Sequence, residues 1–238
     1  MSPRNSMLLL GLMLFASACA PSADAPQQAV PHLDVPQLTE AAKGGDVAAL
    51  ASLKDAANAG NAGAQSNLGS MYANGDGVAK DAAQAVAWYR KAAEQGDADA
   101  QLNLGVMYKN GDGVAKDAAQ AVAWYRKAAE QGDASAQLHF GFMYTFGDGV
   151  AKDAEQALAW FRKAAEQGDA DAQLNLGVMY KNGDGVAKDM VLSYMWRNLA
   201  AAQGNEIAKT ARDALERSMT PQQVERAQQM SRDWKPTK

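Results

Sequence analysis

The sequence of 238 residues predicts an all-α protein, a superhelical α/α solenoid in which pairs of helices stack on one another. A period of 36 residues runs without a gap through four units, and in each unit apolar residues recur at helical spacing between capping residues. Residues 97–117 are identical to residues 169–189, and residues 75–96 are identical to residues 111–132. A repeat of this length indicates supersecondary units that bury their apolar faces against their neighbours. The predicted repeats are residues 61–96, 97–132, 133–168 and 169–204.

The first helix of each repeat, helix A, is clearest in the second repeat. Asp97 is a good N-cap, because its carboxylate can accept hydrogen bonds from the free N–H groups of the first turn. Leu104, Met107 and Tyr108 share one apolar face at helical spacing. Gly105 lowers helix propensity by about 1 kcal/mol, yet a glycine returns at this position in every repeat. It therefore predicts a close helix crossing that leaves no room for a Cβ atom.

The second helix, helix B, follows a glycine-rich turn. Residues 110–113 (N-G-D-G) end helix A, since glycine tolerates positive φ. Asp117 and Gln120 predict a variant of the capping box, and Gly132 marks the end of the helix. One helix-B position is always tryptophan, and packing explains such a position better than stacking on a sugar. The four tryptophans are Trp88, Trp124, Trp160 and Trp196.

The segments that flank the repeats differ from them, as the ends of a stack must. Residues 37–60 predict an N-terminal cap of two short helices. Residues 205–238 predict a C-terminal cap that begins with a helix lacking the repeat's apolar core. A final helix is expected to start with Thr220 as N-cap and Pro221 at the first position, and to end near Trp234.

The N-terminus indicates export. Arg4 precedes an apolar run of ten residues, 7–16, which is too short for a membrane span of about 20 residues. The run fits the apolar region of a signal peptide, which we place at residues 1–18. Residues 19–36 contain four of the seven prolines and predict an extended tether.

Cys19 is the only cysteine of the chain. It follows the small residues 16–18 in a context that resembles a bacterial lipobox, which implies that Cys19 is lipidated and becomes the first residue. This places the protein on the bacterial outer membrane, facing the periplasm or the cell surface, with the lipid as its only membrane contact. The alternative is cleavage after the A-S-A site, which would give a soluble periplasmic or secreted protein.

Composition excludes several classes of function. The formal net charge is −4, which argues against a nucleic-acid partner because phosphate binding requires clustered Lys and Arg. Two histidines and one cysteine cannot supply a zinc site of three or four such ligands, and the N-G-D-G turns lack the ligand pattern of an EF-hand. No phosphate-binding loop or nucleophile motif is present. We therefore predict no metal, no cofactor, no catalytic residue and no enzymatic activity.

At residues 100–132 the chain follows the pattern A-Q-x-x-L-G-x-x-Y-x-x-G-x-G-V-x-x-D-x-x-x-A-x-x-W-Y-x-x-A-A-E-Q-G. This pattern resembles the Sel1-like repeat, a relative of the tetratricopeptide repeat. The resemblance extends over residues 61–204 and implies a curved superhelix that acts as an adaptor or scaffold. It also implies that ligands bind on the concave face, which helix A lines.

The third repeat departs from its neighbours within helix A. Val106 and Asn110 of the second repeat become Phe142 and Phe146, and aromatic residues are favoured anchors in binding surfaces. We predict that these two phenylalanines form a binding patch; the alternative is that they add interhelix packing, as Phe140 is expected to do. The complete candidate set on the concave face is Phe142, Phe146, Leu138, Thr145, His139, Lys109, Asn110, Lys181 and Asn182.

The sequence therefore predicts a protein- or peptide-binding adaptor or scaffold of the bacterial cell envelope. Two alternatives stay open at this point. The same groove could bind peptidoglycan or another glycan, and a cell-wall-active enzyme is the less favoured alternative because no catalytic group is recognisable.

Overall fold

A computed structural model describes residues 34–237, and over this range the chain forms twelve α-helices and no strand. The signal peptide at residues 1–18, the lipidation site at Cys19 and nearly all of the tether lie outside the described residues. Their predictions therefore stay predictions. The described part of the chain contains no helix that is both long enough and apolar enough to cross a membrane.

Two helices precede the repeats, four helix pairs form them, and two helices follow. The caps and the pairs have the predicted order, and each helix A or helix B of a repeat is 13 residues long. The helices are α1 Val35–Lys43, α2 Val47–Asn58, α3 Ala62–Asn74, α4 Ala82–Glu94, α5 Ala98–Asn110, α6 Ala118–Glu130, α7 Ala134–Phe146, α8 Ala154–Glu166, α9 Ala170–Asn182, α10 Met190–Ala202, α11 Glu206–Glu216 and α12 Pro221–Asp233.

The N-terminal cap begins slightly earlier than predicted. Helix α1 starts at Val35, and Asp34 caps it by accepting a hydrogen bond from the backbone N–H of Gln37. Pro36 lies in the first turn of this helix, where a missing N–H costs nothing because the first-turn donors have no intrahelical acceptor. The tether therefore ends before Asp34, and not at residue 36 as predicted.

The two helices of each repeat cross at the recurring glycine. A Cβ atom on Gly105 would lie 2.7 Å from Cδ1 of Tyr125, a fully buried residue of helix α6. The same overlap would occur between Gly141 and Phe161, at 2.8 Å. The prediction of a crossing without room for a Cβ is confirmed, and the partner surface is the face of an aromatic ring.

The turn between helix A and helix B is closed by the backbone. The N–H of Asp117 donates to the carbonyl of Tyr108 at 2.9 Å, so the cap residue's own donor is already used. Only half of the predicted capping box forms as a result: Asp117 Oδ1 accepts from the N–H of Gln120 at 3.0 Å. Both halves form at Thr220 and Gln223, as predicted for the start of α12.

The second glycine of the turn joins one repeat to the repeat before it. Gly113 has a φ of 69°, and a Cβ at this position would overlap the backbone carbonyl of Ala82 at the start of helix α4. Gly149 meets Ala118 in the same way. The turn is therefore a contact between repeats as well as a reversal of the chain.

A ladder of buried glutamines, whose role no sequence pattern indicates, also connects the repeats. Gln101 is 3% exposed, and its Nε2 donates to the carbonyl of Ala93 in the preceding repeat at 3.1 Å. Its Oε1 accepts from Nε2 of Gln131, at the end of helix B in its own repeat, at 2.8 Å. The other repeats make the same pair of bonds through Gln65, Gln137 and Gln173.

The helix-B tryptophans pack against the core, as predicted. Trp124 and Trp196 are buried, whereas Trp88 and Trp160 are half-buried against neighbouring hydrophobic clusters. In the first three repeats a lysine ammonium three residues later covers the ring, as Nζ of Lys127 does at 4.0 Å from the Trp124 centroid.

The last repeat replaces that lysine with Leu199, and Trp234 packs edge-on against Trp196 with 6.1 Å between ring centroids. Trp234 is the C-cap of α12, which confirms the predicted end of the final helix. Thr237 then donates from its backbone N–H to the carbonyl of Glu166 at 2.7 Å. The C-terminal cap therefore closes back onto the third and fourth repeats.

Replacing Gly105 with Ala tests the helix crossing. We expect the free energy of unfolding to fall by about 1–3 kcal/mol, because the new methyl group overpacks the contact with Tyr125. Gly63 is the matched control, since it lies exposed in helix α3 and a Cβ there meets no closer atom than the Asn61 side chain at 3.5 Å. Gly63→Ala should raise stability by up to about 1 kcal/mol. Urea denaturation followed by circular dichroism measures both, and equal effects would contradict the crossing.

Candidate functional site

The two phenylalanines predicted to form a binding patch lie one helical turn apart on α7. Their rings are stacked, with 6.1 Å between centroids and 15° between planes. Phe146 is 73% exposed, which makes it one of three large apolar side chains that stand open to solvent in the described range. Phe142 is half-buried. The two residues of the predicted patch are therefore adjacent, but they differ in how much surface they offer.

Phe142 connects the exposed ring to the core. It packs edge-on against Phe161, with 5.1 Å between centroids, and Phe161 is only 2% exposed. The three rings Phe161, Phe142 and Phe146, called the aromatic ladder below, thus run from the core to the surface. Phe142 therefore contributes packing, which was the alternative to a binding patch. Phe146 makes no ring contact except with Phe142, and its role in binding stays a prediction.

The structure contradicts the placement of Leu138 among the ligand-binding residues. Leu138 is 8% exposed and belongs to the core cluster that contains Phe161, with Phe142 packed against that cluster. Its counterparts Leu102 and Leu174 are half-buried. Leu138 therefore offers almost no surface to a ligand. Phe140, at 1% exposure, is a packing residue as predicted.

The asparagines and lysines of the predicted face have different environments. Asn110 Nδ2 donates to Oδ2 of Asp112 at 3.1 Å, and Asn182 makes the same bond to Asp184 at 3.0 Å. These asparagines brace the turn that ends helix A. Lys181 is exposed and Lys109 is half-buried, and neither forms an ion pair within residues 34–237.

Phe146 stands where the other repeats have this bracing asparagine. The third repeat therefore gives up the hydrogen bond to the aspartate of its turn, Asp148, and gains an exposed phenyl ring. Thr145, the neighbouring residue, is half-buried, and its Oγ1 donates to the carbonyl of Gly141 at 2.9 Å. Exchanging a turn-stabilising amide for an exposed ring adds nothing evident to the stability of the solenoid.

His139 lies on the ring of Tyr125, with 5.2 Å between centroids and 33° between planes. Its Nδ1 and the Tyr125 hydroxyl are both buried without a hydrogen-bond partner in the described structure. Burial, assisted by the charge of Lys109, lowers the pKa of His139, while Asp133 opposes that shift. Burial also raises the pKa of Tyr125. Both groups are therefore neutral near pH 7, which suits a packed aromatic pair.

Two clefts lie between neighbouring repeats in the same register. The cleft between repeats 1 and 2, called cleft 1–2, has a volume of about 360 Å³. The cleft between repeats 3 and 4, called cleft 3–4, has a volume of about 200 Å³. Cleft 1–2 is lined by Ser70, Ala73, Asn74, Lys80, Ala82, Tyr89, Asn103, Val106, Met107 and Asp112. Cleft 3–4 is lined by Thr145, Lys152, Ala154, Ala157, Phe161, Asn175, Val178, Met179 and Asp184.

Asn103 and Asn175 occupy equivalent positions in the two clefts. Between repeats 2 and 3 the residue at this position is His139. There the imidazole lies over the aromatic ring of helix B instead of leaving it open. Of the predicted site residues only Thr145 lines a cleft. Nothing in the sequence singles out Lys152, Asn175 and Asp184, because they are consensus residues whose proximity arises only when two repeats stack.

The described residues contain no group of three or more His, Cys, Asp or Glu side chains that could hold a metal ion. One further buried polar group lies where the last repeat meets the C-terminal cap. Arg197 is 3% exposed, stands at the helix-B position of Tyr125, and donates to the carbonyl of Ala211 at 3.1 Å. Burial lowers its pKa, and Ala211 belongs to the C-terminal cap, so Arg197 ties that cap to the last repeat.

A pH titration of stability tests the environment of His139. Because burial lowers its pKa below the ordinary value of 6.5, the unfolded chain takes up this proton before the folded chain as pH falls. The free energy of unfolding should therefore be highest with respect to His139 above pH 6.5. It should fall as the pH drops from there towards the lowered pKa. His139→Asn copies repeats 2 and 4 and removes the titrating group. Urea denaturation across this range should show the loss in the wild type only, and parallel profiles would contradict it.

Comparison with known proteins identifies the repeats. The Sel1 repeat family matches four consecutive segments, each starting one residue later than predicted from the sequence, at residues 62–97, 98–133, 134–169 and 170–205. No curated protein matches the sequence.

Two solved structures are similar over most of the chain. A Sel1 repeat protein from Oxalobacter formigenes is 34% identical with a TM-score of 0.73, and the match covers 86% of this chain and 86% of that one. A protective antigen of uropathogenic Escherichia coli strains, which displays an SLR fold, is 32% identical with a TM-score of 0.52. That match covers 84% of this chain and 53% of the antigen. The chain belongs to the Sel1 repeat family, and its described residues form an all-α helical repeat solenoid.

Proposed function

We propose that this protein is a protein- or peptide-binding scaffold of the bacterial cell envelope and that it binds its partner on the helix-A face of the third and fourth repeats. Sel1 repeat proteins generally mediate protein–protein interactions, and the family's repeat scaffold is generally non-catalytic. For this chain we propose, beyond these family properties, the location of the binding face, the envelope setting and the absence of catalysis.

Phe146 is the single observation that carries the proposed binding face. In the other three repeats the same position is an asparagine that braces the turn. The substitution loses that hydrogen bond and leaves a phenyl ring 73% exposed. A local change that breaks a repeated rule without a gain in packing is typical of a functional position. Buried aromatic anchors carry much of the binding energy in interfaces, so a partner that covers this ring would recover the cost.

The remaining features of the face favour a protein partner over a polyanion. Lys181 lies on helix A of the fourth repeat, but Asp171 lies on the same helix and Asp148 lies on the turn after α7, so no field of one sign results. A face with one aromatic anchor and charges of both signs is typical of a polar interface with an apolar centre.

The envelope setting is proposed from the N-terminal sequence alone. An apolar run at residues 7–16 is followed by Ser17, Ala18 and then Cys19, the only cysteine. Lipidation at Cys19 would hold the solenoid at the outer membrane through a proline-rich tether.

Mass spectrometry of the mature N-terminus tests the anchor. We expect the chain to start at Cys19 and to carry acyl groups, since a lone cysteine follows the cleavage context. Cys19→Ser should release the protein from the membrane fraction. An unmodified Cys19, or a mature start elsewhere, would contradict the lipoprotein and favour the soluble exported form.

Capture of partners from crosslinked cell envelopes tests the binding face. Phe146→Asn restores the residue of the other repeats, so the fold should be retained while partner recovery falls about tenfold or more, the loss of an interface anchor. Ile207→Ser is the matched control, because Ile207 in α11 is 72% exposed, close to the 73% of Phe146, but lies outside the repeats.

Equal partner recovery with Phe146→Asn and the wild type would contradict the proposed face. Retention on purified peptidoglycan, without any protein partner and with loss on Phe146→Asn, would instead show a glycan-binding module on the same face.

A further inference from the structure

Cleft 1–2 and cleft 3–4 share one framework but differ in polarity. The lysine, the aspartate, the asparagine and the Val-Met pair of the lining are the same residue types in both clefts. The floor changes from Tyr89 to Phe161, which removes a hydroxyl group. Cleft 1–2 is also lined by Ser70 and Asn74, whose counterparts in the third repeat are Phe142 and Phe146. Phe142 and Phe146 do not line cleft 3–4, and the hydroxyl of Thr145, at the position of Ala73, already donates to the carbonyl of Gly141. Cleft 3–4 is therefore the less polar version of a pocket that the solenoid builds twice.

The aromatic ladder joins cleft 3–4 to the exposed ring. Phe161 forms the floor of the cleft and carries Phe142 edge-on, and Phe142 stacks on Phe146. Thr145, next to Phe146 in the chain, lines the cleft itself. The exposed phenyl ring and the cleft are thus neighbouring parts of one surface.

The volume of cleft 3–4 limits what it can hold. It measures about 200 Å³, which is below the roughly 300–1,000 Å³ of pockets that enclose a whole drug-sized ligand. A single large apolar side chain of a polypeptide fits a space of this size. The apolar part of the lining, formed by Phe161, Val178 and Met179, can pack against such a side chain.

The charged groups of the lining indicate what flanks that side chain. Lys152 and Asp184 both line the cleft and are exposed, and neither forms an ion pair among the residues that the structure describes. Lys152 comes from the turn before α8, and Asp184 comes from the turn after α9. A segment that crosses the cleft therefore meets an ammonium group from one repeat and a carboxylate from the next.

We infer that cleft 3–4 is the anchor pocket for an extended segment of the partner protein, which inserts one large apolar side chain beside Phe146 and places an acidic residue next to it, against Lys152. This inference rests on the proposed function and gives it a specificity. A histidine substituted at position 175 should fill this pocket, because His139 lies on Tyr125 at the equivalent position between repeats 2 and 3.

Asn175→His copies that arrangement onto Phe161 and should fill cleft 3–4. Asn103→His is the matched control, because it places the same side chain over Tyr89 in cleft 1–2. Both substitutions use a residue that this fold already accepts at this register, and thermal denaturation checks that each variant stays folded. Phe146→Asn is a second variant that acts at an exposed position and leaves the cleft itself intact.

The experiment selects a phage-displayed library of random peptides on the purified full-length chain. Selected peptides should share a Phe, Leu, Met or Trp next to an Asp or Glu. Their affinity, measured by fluorescence anisotropy of labelled copies, should fall about tenfold or more with Asn175→His and with Phe146→Asn, and should be unchanged with Asn103→His. Lys152→Glu should weaken the same peptides and favour ones with a basic neighbour.

Three results would overturn the inference: selected peptides without an apolar residue, equal binding to Asn175→His and the wild type, or no selected peptide at all. The proposed function fails separately. If envelope partners are captured by Asn175→His as well as by the wild type but are lost with Phe146→Asn, the binding face stands and the anchor pocket is wrong.

Discussion

Each repeat depends on one close contact, the packing of a helix-A glycine against a large side chain of helix B. Because Gly105 has no Cβ, helix α5 approaches Tyr125 until the ring covers its backbone. This close approach sets the distance between helices α5 and α6 and buries the ring of Tyr125 completely. The contact also has a chemical consequence. In the first and third repeats the helix-B side chain, Tyr89 or Phe161, also lines the cleft towards the next repeat.

The other residues that recur in every repeat hold one helix pair against the next. They therefore carry little information about a ligand. Gln101 bridges two repeats through a backbone carbonyl and a second glutamine, and Gly113 lies against the backbone of the preceding repeat. These groups are buried or sterically required, and the contacts with Ala93 and Ala82 cross from one repeat to the one before it. Stability is therefore spread over interfaces between neighbours, which leaves the exposed positions of helix A free to vary.

The third repeat uses that freedom in three ways that differ physically. His139 covers an aromatic floor, Phe142 extends the core towards the surface, and Phe146 replaces a bracing asparagine with an open ring. The first two changes bury apolar area and are explained by packing. Only Phe146 leaves its surface to solvent, and it lies beside the more apolar of the two clefts. The binding role proposed for this region therefore rests on the one change that packing does not explain.

The sequence by itself determined the helices, their caps and their pairing, because these follow from short-range patterns: an Asp or Thr before an apolar stripe, a glycine after it, and a period repeated without gaps. It also located the unusual helix of the third repeat. The tertiary structure alone decided that Leu138 is core while Phe146 is exposed, although both stand at positions predicted to face a ligand. It alone brought Lys152 and Asp184 into one cleft. The reason is physical: capping and helical spacing act within a few residues, whereas burial and clefts depend on how repeats 36 residues apart press against each other.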